Sequence, residues 1–400
     1  MKDDRLNGSR SAVSLPPIAR WRIVALFFVH ALAVGAIHTR IPDIQLMVGL
    51  SDAQLGLVLM GQPLGALGTF LFSSRIIERF GPRRVILFLL PLVTVSAALV
   101  TVLLHPVAIF MLLAINGVGF SLTNIAINVE ADRIEAATRL RIMNRCHGAW
   151  SVGFLVTSLA GAGLRGLDVA PALHMGLLSP LVIVLLLIIV VPMPVVPPRP
   201  HAGASKRRLA WPTLATLGLV AFGLGAGLTE GAARTWSIIY LRDSFEVAAW
   251  IESLALPALL VTMALGRLVA DRWIDRFGPV RVARALASLA IAGMVLLVAA
   301  PNAGAALGGF GLVGLGICVL YPLMLSAAAR LGDRPASENV AATTLIFQLV
   351  NLGAPVLIGA VAEAFDLRTA FAMLLPLLVL TWLMAGRLTP TRPPTAAPPG

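Results

Sequence analysis

The sequence runs to 400 residues, of which 58% are apolar and only 12% charged, with a mean hydropathy of +0.90. Soluble domains carry about 25% charged residues, so a water-soluble globule, a disordered chain and a fibre are excluded and the bilayer becomes the solvent to reason from. The formal charge of +12 sits in short clusters between long apolar runs, with no basic face interleaved with aromatic residues, which excludes nucleic acid as a partner.

A helix needs roughly 20 mostly apolar residues to cross the hydrocarbon. After a polar tail, 1–21, the first such run is 22–41, with His30 in its middle and Arg40 at its far end. That run is too long for a signal-peptide core, so no cleaved leader is expected. The next runs are 53–77, 85–104 and 107–129. The last of these carries Asn116, Asn124 and Asn128 on nearly one helical face, with Phe120 in the missing turn. Amides so placed either bond solute hydroxyls or glue helices together.

A fifth run, 147–164, opens on His147 with Trp150 three residues on. The imidazole is either a proton carrier near neutral pH or a satisfied interfacial group, and Trp150 reads as an aromatic-belt residue. Run six, 172–191, leads into a Pro-rich, semi-rigid linker, 192–211, that ends in a basic cluster. Run seven, 212–240, holds Glu230 and Arg234 one turn apart on one face. Charge at bilayer depth is costly, so the pair is either functional or a self-neutralised structural couple. Runs follow at 250–270, 282–300, 303–329, 340–362 and 369–386, with Gln348 and Asn351 on neighbouring positions of the eleventh and a tail at 388–400. Cys146 and Cys318 read as small core residues. No P-loop, metal-ligand spacing or nucleophile–base signature appears, so neither cofactor, metal nor enzymatic activity is expected.

With the N-terminal tail on the cytoplasmic side, 26 of the 31 Lys and Arg fall on that side. Arg40, Arg165, Arg242 and Arg368 fall on the other, and Arg234 lies inside its span. The asymmetry predicts cytoplasmic termini. The segment Arg75-Ile-Ile-Glu-Arg-Phe-Gly-Pro-Arg-Arg-Val85 recurs as Arg272-Trp-Ile-Asp-Arg-Phe-Gly-Pro-Val-Arg-Val282, identical at eight of eleven positions. Both copies join the second and third spans of a six-span half, so the chain reads as an all-α integral membrane protein of twelve transmembrane helices in two pseudo-symmetric six-helix bundles, 22–191 and 212–387.

On these residues the chain resembles the major facilitator superfamily along essentially its whole length. The repeated loops look like that family's cytoplasmic signature, with Glu78, Arg79, Gly81 and Arg84 in one copy and Asp275, Arg276, Gly278 and Arg281 in the other. The resemblance implies that the loop acids latch one of two alternating conformations. Topogenic surface charge is the rival reading. A narrower similarity, to the bacterial MosC-like subgroup, rests on Thr39-Arg40-Ile41-Pro42, Asn128-Val129-Glu130, Met143…His147-Gly148-Ala149-Trp150-Ser151 and Glu230-Gly231…Trp236-Ser237. Arg234, Thr235 and Cys146 depart from that subgroup's pattern.

The resemblance implies a secondary transporter of the bacterial inner membrane. It would move a small sugar-, inositol- or drug-like solute by alternating access, as a monomer surrounded by lipid, with proton coupling left open. The candidates for solute or proton are Glu230, Arg234, Asn116, Asn124, Asn128, Gln348, Asn351, His147 and Arg40; the last faces either the outer vestibule or a headgroup. A transport-inactive receptor of the same fold is the alternative.

Overall fold

The computed structural model describes residues 17–69, 72–138, 140, 142–196 and 211–389. Most of the two expected tails and the greater part of the linker therefore lie outside the described residues. The described chain is helical throughout, and ten helices are long and apolar enough to cross a membrane.

In chain order the helices are α1 (Ile18–Val48), α2 (Asp52–Gly68, continued by Ser73–Phe80), α3 (Pro82–Val100), α4 (Pro106–Thr138), α5 (Met143–Gly166) and α6 (Pro171–Val190). The second half repeats them as α7 (Leu214–Ser244), α8 (Ala249–Phe277), α9 (Pro279–Val298), α10 (Ala303–Ala329), α11 (Glu338–Ala364) and α12 (Leu367–Leu388). Two of the twelve stand outside the ten for physical reasons. The two parts of α2 meet at a 62° bend. α5 has the length of a span, 24 residues, but spends part of it on His147, Ser151, Thr157, Ser158 and Arg165.

Packing repeats with the sequence. In the first half α1 packs on α5 and α6, α4 on α2 and α3, and α3 on α6. Adding six to each label gives the packing of the second half: α7 on α11 and α12, α10 on α8 and α9, and α9 on α12. The halves meet through α2 against α11 and α5 against α8, a pair of contacts that the same exchange maps onto each other. Outward faces carry Phe88, Leu268 and Leu214, each more than 70% exposed, as lipid contact requires.

The repeated loops share a backbone conformation as well as a sequence. Gly81 has φ 77° and ψ 151°, and Gly278 has φ 81° and ψ 155°. That region is open essentially to glycine alone. Each glycine stops one helix, and Pro82 or Pro279 at the first turn starts the next, where a missing N–H leaves nothing unsatisfied.

Several spans are interrupted inside the membrane. α1 tightens to a 3-10 turn over Ala36–Arg40 before Pro42. α10 breaks between Ile317 and Leu320, and the freed Cys318 carbonyl accepts a bond from Arg267 Nε at 2.8 Å. Such breaks survive at depth only where neighbours satisfy the backbone.

The apolar core has two parts. One fills the interior of the first half around Ile23, Phe27, Ile86 and Ile127. The other fills the second half and runs on without a gap into Ile37, Ile41, Leu55 and Val58 of the first. The halves are therefore fused at the end bearing Arg40 and separately packed at the end bearing the repeated loops.

A candidate solute site between the two halves

α7 supplies the charged centre. Arg234 donates to Glu230 Oε1 through Nη2 at 2.6 Å and Nε at 3.1 Å, one turn apart as the spacing requires. Its guanidinium also leaves its own half. It stands over Phe154 at 4.9 Å and Trp150 at 5.7 Å, both on α5, in cation–π contact. Trp150 in turn donates to His30 Nδ1 at 3.2 Å, and His30 stacks on Phe120. Trp150 is thus an interior residue and not the belt residue its sequence position suggests. Half-buried there, the indole needs a partner for its N–H, and an imidazole on α1 supplies it.

Beside this centre lies a cavity of about 250 Å³ formed by α1, α2, α3, α4, α7 and α11. Its polar side chains are His38, Gln62, Arg234, Thr235 and Asn351, with Trp236 among its walls, and the remainder is Ile, Leu, Val, Ala, Pro and Gly. Two polar atoms of its lining residues, His38 Nδ1 and Trp236 Nε1, are buried without a partner. Leaving such a group unpaired costs about 1–3 kcal/mol.

Of the residues singled out from sequence, Arg234 and Asn351 line this cavity, and Glu230 reaches it through Arg234. Asn351 also donates to the Phe347 carbonyl one turn back. Asn116 stands one layer behind, accepting from Gln62 at 3.0 Å and donating to Val93 O and Ser96 Oγ, which is the geometry of helix glue between α4, α2 and α3. Asn128 donates to the Asn124 carbonyl on its own helix, and neither lines the cavity. Gln348 and His147 are exposed, His147 lying edge-on to Phe27.

His38, Gln62 and Phe154 escaped the sequence reading, and Thr235 and Trp236 entered it as motif positions and not as site residues. Of these, Thr235 carried a signal, because it departs from the subgroup pattern. Gln62 and His38 are polar residues inside apolar runs and were legible on that ground.

Arg40 belongs to a different construction. It is 2% exposed and bonds His174 at 3.0 Å and Asp43 at 3.0 Å. Asp43 also binds Arg165 Nε at 3.0 Å, and Arg165 crosses to the other half, reaching Ser253 Oγ at 2.7 Å and Glu252 at 3.1 Å. Arg242 crosses in the opposite direction to the Pro42 carbonyl and to Gln45 at 2.9 Å. The Ala53 N–H donates to Glu363 at 2.8 Å, and a Cβ on Gly56 would stand 2.5 Å from the Pro355 carbonyl, so α2 and α11 touch backbone to backbone.

No such bridge between the halves joins the described residues at the repeated-loop end. Among the described residues, Glu78 and Asp275 have neither a hydrogen bond nor an ion pair, and Arg79 and Arg276 lie over the rings of Phe80 and Phe277 beside them. Arg84 and Arg281 stand in the first turns of α3 and α9. Arg83 caps the end of α6 by donating to the carbonyls of Val191 and Met193.

A family model described as the Major Facilitator Superfamily matches residues 23–355. The chain belongs to the Major Facilitator Superfamily. Relatives in the superfamily include an uncharacterised MFS-type transporter of Yersinia pestis, 26% identical over 363 residues, covering 90% of this chain and 93% of that protein. Membrane protein MosC of Rhizobium meliloti is 28% identical over 358 residues, 87% of this chain and 85% of its own. Among solved structures, a mutant of the nucleoside transporter NupG superposes with a TM-score of 0.75 at 13% identity, covering 92% of this chain and 99% of NupG. The Escherichia coli fucose:proton symporter FucP superposes with a TM-score of 0.63 at 18% identity, over 96% of this chain and all of FucP. At those identities the structures speak for the superfamily fold, which is that of a multi-pass membrane protein.

Proposed function

We propose that this superfamily member is a secondary transporter that carries a small organic solute across the bacterial inner membrane by alternating access, with both termini in the cytoplasm. The observation that carries the reading is the uneven seam between the halves. Every polar bridge described above between the two halves lies at the Arg40 end, and the central cavity lies just beneath that closure. The charge asymmetry of the sequence makes the Arg40 end the outer one. On that orientation the chain is closed to the outside, and the units 22–191 and 212–387, joined by the linker 192–211, rock about the cavity.

Glu78 and Asp275 fit a latch that is disengaged in this state and engaged in the opposite one. Glu230 is the candidate proton carrier. While Arg234 holds it, the acid stays ionised, and once Arg234 is drawn away it can take a proton, so the pair works as a switch. Asn351 and Arg234 are the solute contacts, and Arg40 belongs to the outer gate.

The closure is tested by replacing Ala53 and Glu363 with cysteines. A disulfide between them should abolish flux in proteoliposomes, for any solute that raises the Tm of the purified protein, and reduction should restore it. Flux through the cross-linked form would remove alternating access. The switch is tested by Glu230→Gln, which should keep solute exchange and lose accumulation driven by a pH gradient. Wild-type uptake indifferent to that gradient would reduce the pair to a binding or structural role. Reporter fusions after Arg208 and Gly400 should both read cytoplasmic.

A further inference from the structure

From the cavity chemistry we infer that the solute is a small amphipathic organic monoanion, a carboxylate or sulfonate on an aryl or branched alkyl body, with its acidic group held by Arg234. The inference rests on the transporter reading and specifies what that transporter takes.

Three observations converge on it. The first is charge. Glu230 has two guanidinium neighbours at bilayer depth, Arg234 at bonding distance and Arg267 of α8 within electrostatic reach. One carboxylate against two cations leaves a surplus positive charge where water is scarce, and an entering anion neutralises it.

The second is the kind of hydrogen-bonding group left over. Arg234 spends Nε and Nη2 on Glu230, and its Nη1 has no partner among the described residues. The buried, unpaired Nε1 of Trp236 is likewise a donor and cannot accept. His38 Nδ1 is free to serve in either sense. Gln62 Oε1 and Asn351 Oδ1 are acceptors without a bond among the described residues, so the cavity offers groups of both senses, but its charged unpaired group, Arg234 Nη1, is a donor and is matched by an anionic acceptor.

The third is the wall. Apart from the few polar groups named, the cavity is aliphatic, including Ile37, Ile41, Leu55, Val58 and Ile358. A polyol there would bury more hydroxyls than these few polar groups can bond, at roughly 1–3 kcal/mol for each one left unpaired against the aliphatic wall. Cavity size sets the scale of the ligand. A dry apolar cavity of about 150 Å³ takes up benzene, so about 250 Å³ accommodates on the order of ten non-hydrogen atoms. Benzoate and benzenesulfonate fall in that range, with the ring against the aliphatic wall and the acid toward the guanidinium.

Binding such an acid offers Arg234 a second carboxylate in place of Glu230. The guanidinium exchanges one oxygen partner for another, and Glu230, released, is free to take up a proton. The same event would then load solute and prepare the switch.

The test uses the full-length protein in detergent and in proteoliposomes. Thermal shift and calorimetric titration compare benzoate and benzenesulfonate with the neutral isostere benzamide and with myo-inositol. Both anions are expected to bind at least tenfold more tightly than benzamide, and myo-inositol not to bind. Arg234→Gln should weaken the anions at least tenfold while leaving benzamide unchanged; Glu230→Gln, which keeps the guanidinium, should not weaken them. Equal binding of benzoate and benzamide by the wild type would overturn the inference without recourse to any variant, as would myo-inositol binding in place of the anions. Flux of labelled benzenesulfonate, which stays ionised and does not leak as a neutral acid, separates the two levels. Anion binding without flux would sustain the ligand class and defeat the transporter reading, whereas flux of a neutral solute with no anion binding would do the reverse.

Discussion

The two ends of this molecule are built from the same pair of six-helix halves and yet behave as opposites. At the Arg40 end, charges of both signs from both halves interlock: Arg165 reaches Asp43, Glu252 and Ser253, and Arg242 reaches across to Gln45. At the loop end the twin acids Glu78 and Asp275 face no partner among the described residues. Pseudo-symmetry sets where helices lie; it does not set which end is bonded. Bridges at one end, with none between the halves among the described residues at the other, are what the proposed alternating access expects of a protein held in one of its two states.

The comparison breaks most severely at Arg165. It is 7% exposed, and removing one partner of a buried ion pair costs about 3–5 kcal/mol. Arg165→Met should lower the apparent Tm by several degrees and expose a cysteine placed at Ser253 to a polar thiol reagent. Labelling that stays at the wild-type level would assign closure to the α2–α11 packing alone.

The loop end is sharpened by its two glycines. Nothing lies within 4 Å of a Cβ added at Gly81 or Gly278, so the cost of alanine there is purely conformational. Each substitution should destabilise by about 1–3 kcal/mol, and the double variant by the sum, because the sites share no neighbours. A loss confined to one half, read in thermal unfolding, would show that the halves are not equivalent.

A smaller effect belongs to Asp366, which caps α12 at the Arg40 end by accepting from the Thr369 N–H at 2.6 Å. That bond, together with the Thr369 hydroxyl, holds the Asp366 carboxyl below its ordinary range. Its folded-state pKa is depressed, so the cap contributes fully above the unfolded value near 4 and is lost as pH falls through the folded value. Asp366→Ala should cost about 1 kcal/mol at neutral pH, a difference that vanishes in strong acid; a constant difference down to that pH would rule out the ionised cap.

The smallest effect on stability is expected at Glu78. With no bond to lose, Glu78→Gln should change unfolding by less than about 0.5 kcal/mol. On the proposed latch it should still shift the ratio of outward- to inward-accessible cysteine labelling, since that reading uses the carboxylate in the other state. Wild-type labelling together with wild-type flux would refute the latch.

Much of this was legible in the sequence, and the limits have physical causes. Apolar runs located every helix, because the bilayer imposes length and composition together, but α4 and α8 continue to Thr138 and Phe277, past the ends expected at 129 and 270. The offset repeat gave the architecture. α1 nevertheless extends to Val48, beyond its expected end at 41, because Arg40 and Asp43, which end an apolar run on paper, are paired inside the fold. At the site, Glu230 and Arg234 were legible because partners one turn apart lie on the same helix. The closure was not. Arg165 finds Asp43 across 122 residues and Ser253 across 88, and a single sequence carries no sign of which distant helix a side chain meets. The asparagines of α4 show the same limit from the other side. A shared face is visible in the spacing, but whether it meets α2, α3 or open space depends on the packing.

Trp150 gives the seam an optical consequence. Its indole lies on α5 of the first half, yet the cation closest to its ring, Arg234 at 5.7 Å, rides on α7 of the second. Separation of the halves along that line, as the proposed alternating access requires, would take the positive charge off the ring and change the field acting on the excited indole. The protein's own ultraviolet emission should therefore shift with each change of state, and Trp150→Phe should silence that component while the other six tryptophans continue to emit. The timing of the conformational cycle could then be followed by light, with no dye attached.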